Sequence, residues 1–296
     1  MGWVSFSTTK LGMFAWWLTS CNGLFYQPLD LEILSPQEVH LPYQSHWYDD
    51  GKGNSLKYWQ IDASEAVPHF GEVIQLHGNG ENMTTHFLFL RWLPAFGFHL
   101  ITVDYPGYGE SKGELERTNI FEATRDFVRF RVGVSSDHSV FLLGQSLGGA
   151  IAVPVVATLG KPVKGLILDS PFNSYREMAQ DVLQRNYVTY LLSWPLSYAV
   201  SDELSPRDFA AFVKQPTLAF HAADDSIVPL SQGQLLFDAI GSDQKRMVEL
   251  PEGGHTAAFG EPVKPVYRAM LIDFLCDHAE SPAACHAHKK KVANWW

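Results

Sequence analysis

Basic residues are scarce in this sequence. The 296 residues include 22 Lys and Arg against 32 Asp and Glu, so the net charge is −10 and the pI is near 5.6. A surface of this sign repels phosphate backbones, and nucleic acid is not expected as a partner. The one dense basic run, residues 289–291, lies near the C-terminus.

The apolar run near the N-terminus, residues 11–18, is too short for a transmembrane helix, which needs about 20 residues. Its length fits a signal peptide better. The run ends in Leu18-Thr19-Ser20-Cys21, which resembles the bacterial lipoprotein box, in which cleavage precedes a cysteine that becomes lipidated.

This resemblance implies a signal peptide over residues 1–20 and a tether over residues 21–46, with lipidation at Cys21. The expected location is the bacterial cell envelope, as a membrane-anchored lipoprotein on the periplasmic face. Two alternatives stay open. One is that the segment is an uncleaved anchor in the cytoplasmic membrane, and the other is that it is a packed helix with an incidental cysteine.

Cofactor and metal signals are also missing. The sequence has no G-x-x-x-x-G-K loop, and no G-x-G-x-x-G opens a helix after a first strand, so we predict chemistry without a cofactor. Cys276 and Cys285 are followed closely by histidines, but the spacing matches no common zinc site. We predict a disulfide or two free thiols there, and no metal.

Short apolar runs alternate with helical patterns through the middle of the chain. Runs rich in Val, Ile, Leu and Phe begin at Glu72, Phe98, Ser139, Val163 and Pro216. Nearly continuous apolarity is typical of parallel strands that are buried on both faces. Helices are predicted between and after them, at residues 82–96, 120–132, 149–159, 231–240 and 262–278. The pattern predicts an α/β fold with a doubly wound, mostly parallel sheet, and an edge hairpin within residues 46–62.

One serine lies on a tight bend between a predicted strand and a predicted helix. In the stretch Gly144-Gln145-Ser146-Leu147-Gly148, glycines flank Ser146 at two residues on each side. Glycine removes the Cβ clashes of a sharp strand-to-helix turn, which would hold Ser146 in strained backbone at its apex. The following helix would add its free N-terminal amides. We interpret Ser146 as a nucleophile.

With this bend in place, the chain resembles the α/β-hydrolase superfamily over most of its length. The motifs HGNGEN, DYPGYGESKGE, GQSLGG, DSPFNSYREMA, HAADDSIVP and GGH together look like a branch of serine acyl hydrolases. That branch contains monoacylglycerol lipase-like and depalmitoylase-like enzymes and bacterial lipoproteins. The resemblance implies a hydrolase domain over residues 47–280, a helical lid insertion at about residues 174–213, and a C-terminal tail over residues 281–296.

The resemblance also implies a Ser-His-Asp triad, because a serine hydroxyl needs a base and the base needs an orienting carboxylate. In this family the acid and then the histidine follow the nucleophile along the chain. His255, on a Gly-Gly loop after the last predicted strand, is the expected base. Asp225 lies in the frame Asp-x-x-Val-Pro and is the expected acid, with Asp224 and Asp169 as alternatives.

Acyl transfer also needs amide donors for the oxyanion. The resemblance implies that these are the amides of Leu147, directly after the nucleophile, and Asn79, in the His-Gly-x-Gly loop.

The predicted lid contains an aromatic and aliphatic cluster that would cover an acyl pocket or pack on the core: Tyr187, Tyr190, Leu191, Leu192, Trp194 and Tyr198.

The expected function is a serine hydrolase that cleaves carboxylic ester or thioester bonds of a small-molecule or lipid acyl substrate. Its other expected partner is a membrane surface, reached through the lipidated N-terminus. A serine peptidase of the same fold is one alternative, and a catalytically silent binding protein is another.

Overall fold

The computed structural model describes residues 25–65, 67–135, 137–185, 187–260, 262 and 264–292. The predicted signal peptide, Cys21 and the start of the predicted tether lie outside these residues. Within them, no helix is both long enough and apolar enough to cross a membrane.

Among the residues that the structure describes, one eight-stranded sheet forms the centre of the fold. Its strands are β1 Gln44–Asp49, β2 Ser55–Ile61, β3 Gly71–Leu76, β4 Phe98–Val103, β5 Ser139–Gln145, β6 Val163–Asp169, β7 Thr217–Ala222 and β8 Lys245–Leu250. They lie in the order β1-β2-β4-β3-β5-β6-β7-β8. β1 and β2 form the predicted edge hairpin, and β2 pairs antiparallel with β4, whereas β3 to β8 are parallel.

Helices cover both faces of this sheet. They are α1 Met83–Leu90, α2 Arg117–Val134, α3 Leu147–Leu159, α4 Tyr175–Gln184, α5 Ser193–Ser197, α6 Pro206–Ala210, α7 Leu230–Ala239, α8 Pro265–Asp277 and α9 Pro282–Val292. β5 is buried along its whole length: Val140 and Leu142 belong to the core under α2 and α3, and Phe141 and Leu143 to the core under α1 and α8. The predicted doubly wound α/β fold is confirmed.

The strand order reverses at β3, and this reversal determines where the site lies. β4 lies on one side of β3 and β5 on the other, so the chain leaves the sheet in opposite directions after β3 and after β5. The loops at the carboxyl ends of β3 and β5 therefore meet around a crevice, which is the usual ligand position in such sheets.

The predicted helix over residues 82–96 is shorter in the structure. Asn82 caps α1, because its side-chain oxygen accepts a hydrogen bond from the Thr84 amide at 3.0 Å. The α-helix ends at Leu90, and the residues that follow form a 3₁₀ turn, Leu93–Phe96, which contains Pro94. Proline cannot donate the hydrogen bond that would continue an α-helix, which accounts for the break.

The structure differs from the sequence prediction at both ends of the domain. Phe25 and Tyr26, in the predicted tether, are buried against the core, and the Tyr26 hydroxyl lies 3.0 Å from that of Tyr175. The predicted C-terminal tail contains α9, which a disulfide between Cys276 and Cys285 joins to α8. Both segments bury apolar surface that a free tether or tail would expose.

Candidate active site

Ser146 occupies a strained turn between β5 and α3. Its backbone has φ 52° and ψ −115°, a region that residues other than glycine rarely adopt. The flanking glycines make this turn possible: a Cβ on Gly144 would overlap the carbonyl oxygen of Gly148, and a Cβ on Gly148 would overlap that of Leu76. The turn thus brings Ser146 to the carboxyl edge of the sheet, as the sequence predicts.

Both predicted oxyanion residues line the same cavity as Ser146. Leu147 begins α3, and the amides of a helix's first turn have no intrahelical acceptor. The Asn79 side-chain oxygen accepts hydrogen bonds from the Gln27 amide at 2.7 Å and the Tyr108 hydroxyl at 3.0 Å, which fix the loop after β3. This places the loop and the helix start around Ser146, the arrangement that an oxyanion site needs.

His255 is hydrogen-bonded to Asp225, and their side-chain atoms Nδ1 and Oδ2 are 2.7 Å apart. The other oxygen of this carboxylate accepts the amides of Ile227 and Val228, each at 2.9 Å. Burial alone would raise the pKa of Asp225, but the bond from His255 and these amides hold the pKa below its ordinary value. Asp225 therefore stays ionised and orients the imidazole.

Asp224 binds different groups from Asp225. Its exposed carboxylate accepts the amides of Gly253 at 3.1 Å and Gly254 at 2.8 Å, and these bonds lower its pKa. Asp224 therefore fixes the loop that carries His255, while Asp225 contacts the imidazole itself.

Asp169 lies at the end of β6 and is buried under the site. Burial raises its pKa to about 7, and its carboxylate accepts a hydrogen bond from the Gln145 side chain at 3.2 Å. The Gln145 oxygen in turn accepts from the Gln75 amide group at 2.8 Å and lies 3.1 Å from His86 Nδ1. Asp169 thus belongs to a polar network beneath Ser146, and Asp225 is the carboxylate bonded to His255.

Two further histidines at strand ends have structural roles. His77 is fully buried against Tyr105, and burial lowers its pKa to about 3, so its ring is neutral near pH 7. His221, on β7, donates from Nε2 to the carbonyl of Val228 at 2.9 Å and supports the loop of Asp225.

Ser170 connects the His255 loop to the sheet, a role that its sequence position does not reveal. Its hydroxyl oxygen accepts the amide of Thr256 at 3.0 Å, and its own amide donates to the carbonyl of Phe220 on β7 at 2.9 Å. Ser170 and Thr256 have φ values of 52° and 51°, so both ends of this connection are backbone-strained. Residues 170 and 256 are far apart in sequence, and no local pattern marks them as partners.

If His255 acts as a base in catalysis, we expect Ser170→Ala to lower kcat about tenfold, because the buried Thr256 amide loses its acceptor and His255 is positioned less well. Ser111→Ala is the matched control: this buried hydroxyl accepts the Lys57 amide at 2.8 Å, away from the site. Ester hydrolysis at saturating substrate and thermal unfolding should be measured for both. A Ser170→Ala protein with the wild-type kcat would show that this bond only supports the fold.

The two sides of the site differ in polarity. The Ser146 cavity is lined on its apolar side by Phe25, Phe172, Met178, Val182, Ile227 and Val228. A second opening, next to His255, shares no lining residue with this cavity and is more polar, with Asp224, Glu252 and Lys264 among its lining residues. An apolar group therefore fits beside Ser146, and a polar group fits beside His255.

The lid contributes to the Ser146 cavity through α4, which supplies Met178 and Val182. The predicted aromatic cluster of the lid neither covers this cavity nor packs on the core. Tyr187, Leu191 and Trp194 are 100 %, 88 % and 61 % exposed. Both interpretations of these side chains are therefore wrong, because the segment after α4 turns them outward.

Comparisons with known proteins show the family of the chain. The family model described as "Serine aminopeptidase, S33" (Hydrolase_4) matches residues 68–202. The chain is 30 % identical over 260 residues to YfhR of Escherichia coli K12, an uncharacterised protein, and the match covers 86 % of each chain. It is 32 % identical over 239 residues to the lysophosphatidylserine lipase ABHD12 of Danio rerio, covering 73 % of this chain and 59 % of that one.

Solved structures share the fold at low sequence identity. An esterase of Pyrococcus furiosus, PF2001, superposes with a TM-score of 0.69 at 15 % identity, over 86 % of this chain and 97 % of the other. A soluble variant of the monoglyceride lipase of Saccharomyces cerevisiae superposes with a TM-score of 0.62 at 17 % identity, over 86 % and 100 % of the two chains.

Proposed function

Because this chain belongs to the α/β-hydrolase family that also includes YfhR, we propose that it is a serine hydrolase of carboxylic ester or thioester bonds. The observation that carries the proposal is the 2.7 Å bond between His255 and a buried, ionised Asp225, at the sheet edge where Ser146 occupies its strained turn. A histidine oriented in this way is the base that a serine nucleophile requires.

In the proposed reaction, His255 takes the proton of Ser146 as the serine oxygen attacks the acyl carbon. The amides of Leu147 and Asn79 stabilise the oxyanion, and Asp225 stabilises the imidazolium that forms. His255 then gives its proton to the leaving alcohol or thiol, and an acyl group stays on Ser146. Water, activated by His255, releases the acid. No cofactor takes part in these steps.

The substrate that fits the site best has an apolar acyl chain and a polar leaving group. The acyl chain would lie against Met178, Val182 and Phe172, and the leaving group would exit past His255 toward the polar opening. ABHD12, a relative, is named as a lysophosphatidylserine lipase, and a structural neighbour is a monoglyceride lipase. Both names fit a single-chain lipid ester, which we propose as the substrate class.

A peptidase is the second candidate, because the matching family model is described as a serine aminopeptidase and an acylaminoacyl peptidase shares the fold with a TM-score of 0.61. An aminopeptidase must bind a free ammonium group, for which a carboxylate is the usual partner. The described residues that line the Ser146 cavity include no charged side chain. This favours the neutral acyl chain of an ester over a peptide N-terminus.

A panel of substrates tests the assignment. We expect p-nitrophenyl esters and acyl thioesters of medium chain length to be hydrolysed faster than acetyl esters, because a longer chain buries more apolar surface in the cavity, at about 0.8 kcal/mol per methylene. Peptide p-nitroanilides with a free N-terminus should be cleaved at least about 100-fold more slowly. Preferred cleavage of the peptides would establish the peptidase, and failure to cleave any acyl substrate would favour a silent binding protein.

The N-terminal assignment is separate from this reaction. Lipidation of Cys21, and with it a location in the bacterial envelope, stays a prediction. The intact mass of the chain purified from bacterial membranes tests it: an unmodified Cys21 would leave the uncleaved anchor or a packed helix.

A further inference from the structure

An exposed apolar surface lies on the lid, and the proposed reaction does not use it. We call it the lid patch and define it by six side chains: Tyr187, Val188, Tyr190, Leu191, Trp194 and Tyr198. Their exposed fractions range from 57 % at Tyr198 to 100 % at Tyr187. Large apolar side chains exposed so close together mark an interaction site. Of the six, Tyr187 and Tyr190 also line a cavity, with Gln184 and Arg185.

The residue types of the lid patch suit a lipid interface. Tyr and Trp have an apolar ring and a polar group, and they are enriched where hydrocarbon meets water. Leu191 and Val188 add side chains that gain free energy in hydrocarbon. Residues 187–201 contain no charged side chain, although the chain as a whole has a net charge of −10. Two arginines lie at its border: Arg176 is 4.6 Å from the centre of the Tyr198 ring, and Arg185 lines a cavity with Tyr187 and Tyr190. Contact of the six patch side chains themselves with a bilayer is hydrophobic and needs no anionic headgroup.

The position of the N-terminal segment also favours a bilayer. Phe25, the first described residue, packs edge-to-face on Tyr175 at the start of α4, with the ring centres 5.2 Å apart. The helix α4 packs in turn against the lid segment that carries the patch. Cys21, the residue predicted to be lipidated, lies four residues before Phe25, and four residues span at most about 14 Å. A lipid on Cys21 and the lid patch can thus reach the same membrane surface.

We propose that the lid patch binds the surface of a zwitterionic lipid bilayer and inserts Leu191 and Trp194 at the headgroup boundary. Met178 and Val182 of α4 line the Ser146 cavity, so the docked lid would hold the mouth of that cavity close to the lipid layer. A single-chain lipid ester would then reach Ser146 without crossing bulk water. This last step rests on the proposed function, whereas the docking itself does not.

Hydrogen exchange of the full chain tests the docking. We expect the amides of residues 187–198 to exchange about tenfold more slowly when phosphatidylcholine vesicles are added, equally at low and high salt. The turn at Gly51–Gly53, which is exposed and distant in sequence, serves as the internal reference and should not change. If the N-terminal segment alone holds the chain on the vesicles, residues 187–198 exchange as in free protein, which would overturn the proposal. Slower exchange that increases with protein concentration and does not depend on vesicles would identify a second copy as the occupant of the lid patch. That result would also overturn the proposal.

Paired variants separate docking from catalysis. Leu191→Ser with Trp194→Ser should abolish the vesicle-induced protection and lower hydrolysis of an ester presented in vesicles at least about tenfold, because two apolar side chains no longer enter the lipid. Turnover of a soluble p-nitrophenyl ester should stay at the wild-type level. Trp47→Ser with Val134→Ser is the matched control at exposed positions outside the lid patch, and it should retain both properties. Vesicle-induced protection without any ester turnover would refute the proposed function and leave the docking intact.

Discussion

Replacement of Ser146 by alanine is expected to lower kcat/KM for acyl esters by about 10⁵-fold or more, because it removes the nucleophile on which both chemical steps depend. The protein should remain folded. The serine side chain makes no capping bond at the start of α3, and alanine adds no atoms to the turn. Activity is measured with a p-nitrophenyl ester, and folding by thermal unfolding.

Ser111→Ala again provides the control, since it removes a buried hydroxyl elsewhere and should retain activity. If Ser146→Ala hydrolyses the ester at a rate near that of the wild type, Ser146 is not the nucleophile, and the strained turn has another purpose.

The two adjacent aspartates are expected to differ strongly. Asp225→Asn should lower kcat by about 10³- to 10⁴-fold, because an amide at this position no longer stabilises the His255 imidazolium and favours the wrong tautomer. Asp224→Asn should cost about tenfold or less. Its carboxylate binds only the amides of Gly253 and Gly254 at the surface, and an asparagine oxygen can still accept one of these bonds.

Comparison of the two variants shows which aspartate orients His255, because each variant removes one negative charge and the two positions are adjacent. Turnover at saturating ester is the measurement. The reverse ranking would transfer the role of the acid to Asp224, and equal small losses would indicate that neither carboxylate orients His255.

Local patterns were sufficient to predict the fold. Strands such as β5 are apolar almost throughout because helices cover both faces of the sheet. The glycines on either side of Ser146 indicate a tight turn, which larger residues would block. The family resemblance, through the frame Asp-x-x-Val-Pro, implies Asp225 as the acid, and this is the carboxylate that is bonded to His255. The strands and the turn depend on neighbouring residues, which is why a single sequence reveals them, whereas the choice of Asp225 over Asp224 depends on the resemblance.

Other features depend on contacts between distant segments. Nothing near Ser170 in the sequence shows that its hydroxyl accepts an amide 86 residues away. The direction of the lid side chains is also a tertiary property: the apolar residues after α4 carry the same pattern whether they cover a cavity, pack on the core or face outward. The same holds for α9, which a disulfide and buried contacts keep on the domain.

We propose Ser146 as the nucleophile of a Ser-His-Asp triad. Peptide mapping by mass spectrometry after reaction with a fluorophosphonate tests it most directly, because the reagent reacts with a serine only when a neighbouring base activates it. We expect one adduct, on the peptide that contains Ser146, formed rapidly in the wild-type protein and far more slowly in Asp225→Asn. An adduct on another residue, or ester turnover by a protein that forms no adduct, would contradict it.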